Sequence, residues 1–434
     1  MHGRDPGRDP GRACEQVMSA AGLLEPMRYA QASGLPAGYA VTVGVVSLPV
    51  LAALTSRGAG GPVGTLRYLA AFVVNEQPIL AAYWLGAATL LAAAQGDLRG
   101  AAGCTIAAVA ALMLTALVVL VLRARPARSV IDQALDIGIG SGWRAGTGGL
   151  SAGALTLRKA WARYLWPLHV RRLDVRRMAN IPYGSAGRAN LLDLYRGRRG
   201  LAAGDLRPVL IHLHGGAFVS GRKNREGLPL IYRLASRGWI CLSPSFRLRP
   251  AAQWPDHLVD VKKVIAWIRT HGPEYGADPD RIFLAGASSG AQLAAVAALT
   301  PGDPRFQAGF EETDTSVLAA ISLYGHYGSG DAPRSAPLSS PLAYIRPDAP
   351  PFFIAHGDSD TVLPASAARE FAAALRARSR GAVVYAELPG AQHQFDLHHS
   401  IRCTALTNGI EAFAAWVLQN AVVACPDDRS AQHP

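Results

Sequence analysis

One serine sits where a nucleophile could be made. Arg281-Ile282-Phe283-Leu284-Ala285 reads as a strand, Gly286-Ala287-Ser288-Ser289-Gly290 follows directly, and a helical AQLAAVAAL comes next. This is G-x-S-x-G at a strand–turn–helix junction. A serine on so sharp a turn needs small neighbours two residues away. The helix that begins there offers partial positive charge to an alkoxide or an oxyanion. A second glycine cluster follows another apolar run, Val209–His214 leading into Gly215-Gly216-Ala217-Phe218. A glycine pair just past a core strand leaves backbone N–H groups uncovered. Such donors, joined by the N–H of Ser289, can point at a developing carbonyl oxyanion.

Two further loops supply an acid and a base. His356-Gly357-Asp358-Ser359-Asp360 follows the apolar run Pro351–Ala355, and Gly390-Ala391-Gln392-His393-Gln394-Phe395 follows Val383–Leu388. His393 can take the Ser288 proton and return it to a leaving group, while a carboxylate holds its tautomer and stabilises its cation. Asp358 and Asp360 both compete for that duty; Asp360 is preferred, and Asp358 is assigned to ordering the turn. His212 reads as a core strand residue and His214 as a brace for the oxyanion loop. His398 and His399 lack ligand partners at a helical spacing and are expected as exposed loop residues. No metal and no cofactor is expected.

The elements that must position these residues are short β-branched runs separated by helical stretches. Strands are expected at Val175–Pro182, Asn190–Tyr195, Val209–His214, Trp239–Ser243, Arg281–Ala285, Leu318–Tyr324, Pro351–Ala355 and Val383–Leu388. Helices are expected at Asn224–Ser236, His257–His271, Ser289–Leu299, Ser366–Arg378 and Cys403–Gln419. Such alternation predicts a mostly parallel sheet with helices on both faces. Its ligands bind at the carboxyl ends of the strands, where the motifs fall.

The first third has a different character. Ala37–Ser56, Gln77–Gly96 and Gly100–Leu122 are three long apolar runs. Twenty helical residues cover roughly 30 Å, the thickness of a hydrocarbon core. The polar opening MHGRDPGRDPGRACEQ fits a cleaved leader poorly, so the runs read as anchors. Arg57, Arg67, Arg123, Arg125 and Arg128 outnumber Arg28 and Arg99 on the other side, which predicts a multi-pass membrane protein with a cytoplasmic catalytic part. The expected organisation is a polar tail over 1–36, a membrane region over 37–123, a connector over 124–171, a catalytic domain over 172–421 and a tail over 422–434. Within the connector, Gly138–Trp143 breaks the GxGxxG pattern and reads as a flexible loop. Leu155–Arg172 mixes Trp161, Tyr164 and Trp166 with five cations, the make-up of an interfacial helix.

Composition narrows the classes. Half of the 434 residues are apolar and 17% are charged, which excludes a disordered polymer. Five scattered cysteines without a CxxC pair exclude a disulfide framework and a zinc ribbon. The net charge of +12 suits anionic lipid. No nucleic-acid motif accompanies it, so no nucleic-acid partner is expected.

Taken together, the motifs from about Asn180 to Trp416 resemble the hormone-sensitive-lipase branch of α/β-hydrolase esterases. The arrangement with N-terminal spans is similar to mycobacterial membrane-associated carboxylesterases. The likeness is carried by PYG…NLLDLYR, HGGAF, Phe246-Arg247-Leu248-Arg249-Pro250, Trp254-Pro255, Asp260, GADPDR, GASSG, HGDSD with Leu363-Pro364, and GAQHQF. It implies an α/β-hydrolase fold with the chain order Ser288, Asp360, His393, the second Asp of HG-x-x-D as the acid, and oxyanion donors in the HGG-x loop, here Gly215, Gly216 and Ala217, beside Ser289. Ala287 before the nucleophile, Ala291 after Gly290 and Ala217 in the oxyanion loop depart from the family pattern while keeping residues small. The implied function is a membrane-anchored serine esterase acting on a small-molecule or lipid ester, with Gly325–Pro350 lining or covering the acyl pocket. A prolyl-oligopeptidase-like peptidase would need propeller repeats, and a non-catalytic receptor or scaffold would have lost one of Ser288, Asp360 and His393.

Overall fold

The computed structural model describes residues 36–56, 61–146, 170–199, 204–328 and 337–423. The stretch 147–169, which holds most of the expected interfacial helix, lies outside the described residues, as do nearly all of both tails.

Four helices come first: α1 (Ala37–Thr55), α2 (Gly61–Glu76), α3 (Pro78–Gln95) and α4 (Ala101–Ala124). α1, α3 and α4 coincide with the three apolar runs and are long and apolar enough to cross a membrane. They share a buried seam of Val43, Val50, Leu85, Ala110, Leu117 and Leu120, while Leu48, Leu90 and Leu112 face outward. α2 is an added element. Its apolar stretch is too short and too interrupted by polar residues to read as a span.

After a turn at Arg125–Pro126 comes α5 (Ala127–Ile139), where a loop-bearing connector was expected. Ile131, Ala134 and Leu135 follow a three-to-four spacing and are buried in the core beneath the sheet. Gly138 is required there: a Cβ would come within 2.8 Å of the Val383 carbonyl oxygen. The glycines past Ile139 do form a turn, but the preceding thirteen residues are a helix packed on the sheet.

The sheet has eight strands: β1 (Val175–Pro182), β2 (Leu191–Gly197), β3 (Arg207–Leu213), β4 (Ile240–Pro244), β5 (Ala277–Ala287), β6 (Ala319–Leu323), β7 (Phe352–Gly357) and β8 (Val383–Leu388). Their order is β1-β2-β4-β3-β5-β6-β7-β8. β1 and β2 pair antiparallel, as do β2 and β4; all other pairs are parallel. Helices α6 (Leu228–Ala235), α7 (Asp256–His271), α8 (Ser289–Leu299), α9 (Ala365–Arg378) and α10 (Ile401–Val423) connect or follow the strands. Alternate strand residues feed two layers, as the strand period requires. Phe283 and Ala285 join α5, α6 and α10 on one face, whereas Ile282 and Leu284 join α7 and α8 on the other. With both faces covered, what remains for chemistry is the rim at the strand ends.

Candidate active site

β5 ends at Ala287, and Ser288 stands between it and α8 with φ 55° and ψ −119°. That conformation strains a non-glycine residue. Its N–H donates to the Leu323 carbonyl at 2.9 Å, which pins the turn to β6. The flanking glycines are dictated by space. A Cβ on Gly286 would lie 2.1 Å from the Gly290 carbonyl oxygen, and one on Gly290 would lie 2.4 Å from that of Leu213.

β7 delivers Asp360 and β8 delivers His393. The Ser288 hydroxyl is 3.0 Å from His393 Nε2, and His393 Nδ1 is 2.7 Å from Asp360 Oδ2. Asp360 as acceptor fixes the proton of His393 on Nδ1 and leaves Nε2 to accept from the serine. Asp360 Oδ1 accepts the N–H groups of Val362 at 2.8 Å and Leu363 at 2.9 Å. The carboxyl is buried, which by itself opposes ionisation. The His393 charge and the hydrogen bonds from His356 and His393 outweigh that and hold its pKa well below the usual carboxylate range. Asp358 does other work, accepting the Gly390 N–H at 2.7 Å and so joining the acid and base loops.

The loop after β3 turns sharply: Gly216, Ala217 and Phe218 all have positive φ, at 112°, 53° and 63°. Among the described residues, no acceptor faces the N–H groups of Gly216, Ala217 or Ser289. Gly215 departs from expectation. Its N–H donates to the Glu226 carboxylate at 2.5 Å, so it is not an available donor. Its absent side chain has a use of its own, since a Cβ would come within 3.0 Å of the Ser288 Cβ. His214 donates through Nδ1 to the Gly215 carbonyl at 2.8 Å and stacks on Phe246 at 4.3 Å. His212 is fully buried under Gly227, and burial lowers its pKa to about 4.

Several neighbours were not foreseen. Glu226 is buried, and that burial raises its pKa despite the bond from Gly215. Tyr324, at the end of β6 with φ 40°, sets its ring edge-on to His393 at 4.7 Å and donates its hydroxyl to Asp396. Burial raises the Asp396 pKa. These residues carry no motif; only the folded chain brings them to the rim. His398 and His399 are half-buried, not exposed. The segment Gly325–Pro350 is described except at 329–336, and its described part is packed down: Tyr327 stacks on Phe371 at 4.6 Å, and Gln292 donates to the Ser339 carbonyl at 2.8 Å. Among the described residues, no cluster of three metal-ligating side chains occurs.

A mostly parallel eight-stranded sheet with such loops at its carboxyl rim defines an α/β-hydrolase. Comparison with known proteins agrees with that class. Residues 192–328 match the family described as BD-FAE. The chain is 41% identical over 322 residues to the probable carboxylic ester hydrolase LipM of Mycobacterium tuberculosis, covering 68% of this chain and 73% of that protein. It is 41% identical over 258 residues to esterase LipQ of the same organism, covering 54% of this chain and 61% of that one. Among solved structures, the apo form of Thermogutta terrifontis esterase 2 aligns with a TM-score of 0.48 at 23% identity, covering 59% of this chain and 98% of that one. On its likeness to LipM, the chain belongs to the α/β-hydrolase esterases, a family of carboxylic ester hydrolases.

Proposed function

We propose that this protein is a membrane-anchored serine carboxylesterase that hydrolyses lipophilic esters, of short to medium acyl chain, through an acyl-serine intermediate. Ser288 Oγ attacks the ester carbonyl carbon while its proton passes to His393 Nε2. Asp360 stabilises the imidazolium that forms. The carbonyl oxygen becomes an oxyanion and takes hydrogen bonds from the N–H groups of Gly216, Ala217 and Ser289. Collapse breaks the ester C–O bond, and the departing alkoxide takes the proton from His393. A water molecule, deprotonated by the same imidazole, then attacks the acyl carbon, and the carboxylic acid leaves with Ser288 restored. Every step uses groups of the chain and water.

The reading is supported above all by the unbroken relay of contacts at 3.0 Å and 2.7 Å from Ser288 through His393 to Asp360. The membrane part of the proposal rests on three helical segments of sufficient length and apolarity, Ala37–Thr55, Pro78–Gln95 and Ala101–Ile139. The catalytic unit begins near residue 172, and α5 belongs with it by packing. The arginine balance favours a cytoplasmic catalytic unit, and its digestion by protease added outside sealed, right-side-out vesicles would reverse that orientation. The central experiment uses the full-length protein in detergent with p-nitrophenyl esters. Ser288→Ala should lower the rate by at least about a thousandfold. Equal hydrolysis by the variant would end the proposal.

A further inference from the structure

Helix α2 connects two helices fit to span a membrane, yet its buried face looks toward the catalytic centre. Gly64, Tyr68 and Asn75 lie on that face, at helical spacing. The Gly64 carbonyl accepts the Thr361 hydroxyl at 2.8 Å. The Tyr68 hydroxyl donates to Gln394 Oε1, and its ring stands edge-on to His393, 5.8 Å between centroids and 89° between planes. Asn75 donates to the Gly390 carbonyl at 2.9 Å, and Glu76 at the end of the helix accepts Arg402 at 2.9 Å in a buried ion pair. Thr361 follows Asp360 in the chain and Gln394 follows His393. One helix therefore holds the immediate neighbours of both the acid and the base. Its opposite face carries Val63, Leu66, Leu69 and Val73, all exposed, as suits a helix lying against lipid between α1 and α3.

We infer that α2 is a working part of the catalytic centre and that Tyr68 is a positioning residue for His393. The inference rests on the esterase reading above. Gln394 has φ 58°, a conformation that a non-glycine residue keeps only when its surroundings impose it. The Tyr68 hydroxyl supplies one such constraint, and its ring stands edge-on against the imidazole. A base displaced by about 1 Å loses much of its effect on rate while ester binding is little changed. The helix that meets the bilayer is thus the one that sets the geometry of the acid–base pair.

The test uses full-length protein in detergent micelles, a soluble p-nitrophenyl ester, and titration of reactive serines with a fluorophosphonate. Tyr68→Phe keeps the ring and removes the hydroxyl. Its kcat per titrated site should fall about tenfold with KM within about twofold of wild type. Tyr68→Ala should fall further, by about a hundredfold, and Leu66→Ala on the outer face should stay within about twofold. A merely structural role would reduce the melting temperature and the number of titratable sites while leaving kcat per site unchanged. Should Tyr68→Phe not fold, Thr361→Val removes the tie on the acid side and is judged by the same criterion. A kcat per site within twofold of wild type for the folded variant overturns the inference. Hydrolysis that persists in Ser288→Ala overturns the esterase reading instead, so the two failures are distinguishable.

Discussion

Glu226 offers a quantitative test of how the oxyanion loop is held. Its Oε2 lies 2.5 Å from the Gly215 N–H, and the residue is 6% exposed, so water cannot readily replace it. Replacing Glu226 by Ala leaves a buried N–H without an acceptor, a loss of about 1–3 kcal/mol. Gly215 directly precedes Gly216 and Ala217, the donors assigned to the oxyanion, and any shift that lets its N–H reach another acceptor drags them along. If the whole cost is felt in the transition state, kcat falls roughly 5- to 150-fold, at about 1.4 kcal/mol per decade. Glu226→Gln retains an acceptor and removes only charge. Because burial already favours the neutral carboxyl, this variant should stay within about threefold of wild type. The assay is steady-state hydrolysis of a p-nitrophenyl ester, with thermal unfolding measured alongside. A Glu226→Ala protein with wild-type kcat would refute the reasoning, and so would Gln and Ala variants that are equally impaired.

The other predictions concern Asp360 and Gly290. Asp360→Asn keeps the volume but can present an N–H₂ to a ring nitrogen that donates, so kcat should fall about ten-thousandfold; a loss smaller than tenfold would remove Asp360 from its role. The Asp360 carboxyl is depressed in the folded state, so its stabilisation is complete above the ordinary carboxylate range, near pH 4, and is lost as the pH falls through the folded value. The melting temperature of wild type should therefore drop more between pH 5 and pH 3 than that of Asp360→Asn; parallel curves would contradict this. Gly290→Ala puts a Cβ within 2.4 Å of one backbone oxygen and 2.5 Å of the next, at Leu213 and His214. Neither can yield without moving the end of β3, so fluorophosphonate labelling of Ser288 should be lost, and labelling at the wild-type rate would refute the steric account.

The sheet was legible because most strands have a short apolar or β-branched run closed by glycine, proline or a polar turn. β1, β8 and α8 occupy the expected residues, and the remaining strands differ at their ends only. The loops with Ser288, Asp360 and His393 were legible for the same reason: a motif that begins where a strand stops announces its place on the rim. α5 could have been found, since Val130, Ile131, Ala134 and Leu135 follow helical spacing, but Gly138, Gly140 and Gly142 drew attention to a loop. α2 carried a weaker signal, being apolar on its outer face and bonded to protein on the other, which blurs any single stripe. The hydrogen bond between Glu226 and Gly215 had no signal at all. A glycine-rich loop tells how many N–H groups it bears, not which of them another segment will occupy.

Backbone strain ties these separate parts to one purpose. Six non-glycine residues among those described have positive φ, and five of them, Ala217, Phe218, Ser288, Tyr324 and Gln394, surround His393 and Ser288 or carry the loop beside them. Each such conformation costs of order 1 kcal/mol or more and persists only where neighbours enforce it. The enforcers here are specific: Leu323 accepts the Ser288 N–H, Phe218 accepts the Arg249 N–H at 2.7 Å, Ala355 accepts the Tyr324 N–H at 2.7 Å, and Tyr68 holds Gln394. Three of these four constraints come from β6, β7 and the loop after β4, within the hydrolase sheet. The fourth comes from α2, outside it. On the inference drawn for α2, the geometry of the base therefore draws on a helix outside the sheet as well as on the sheet itself.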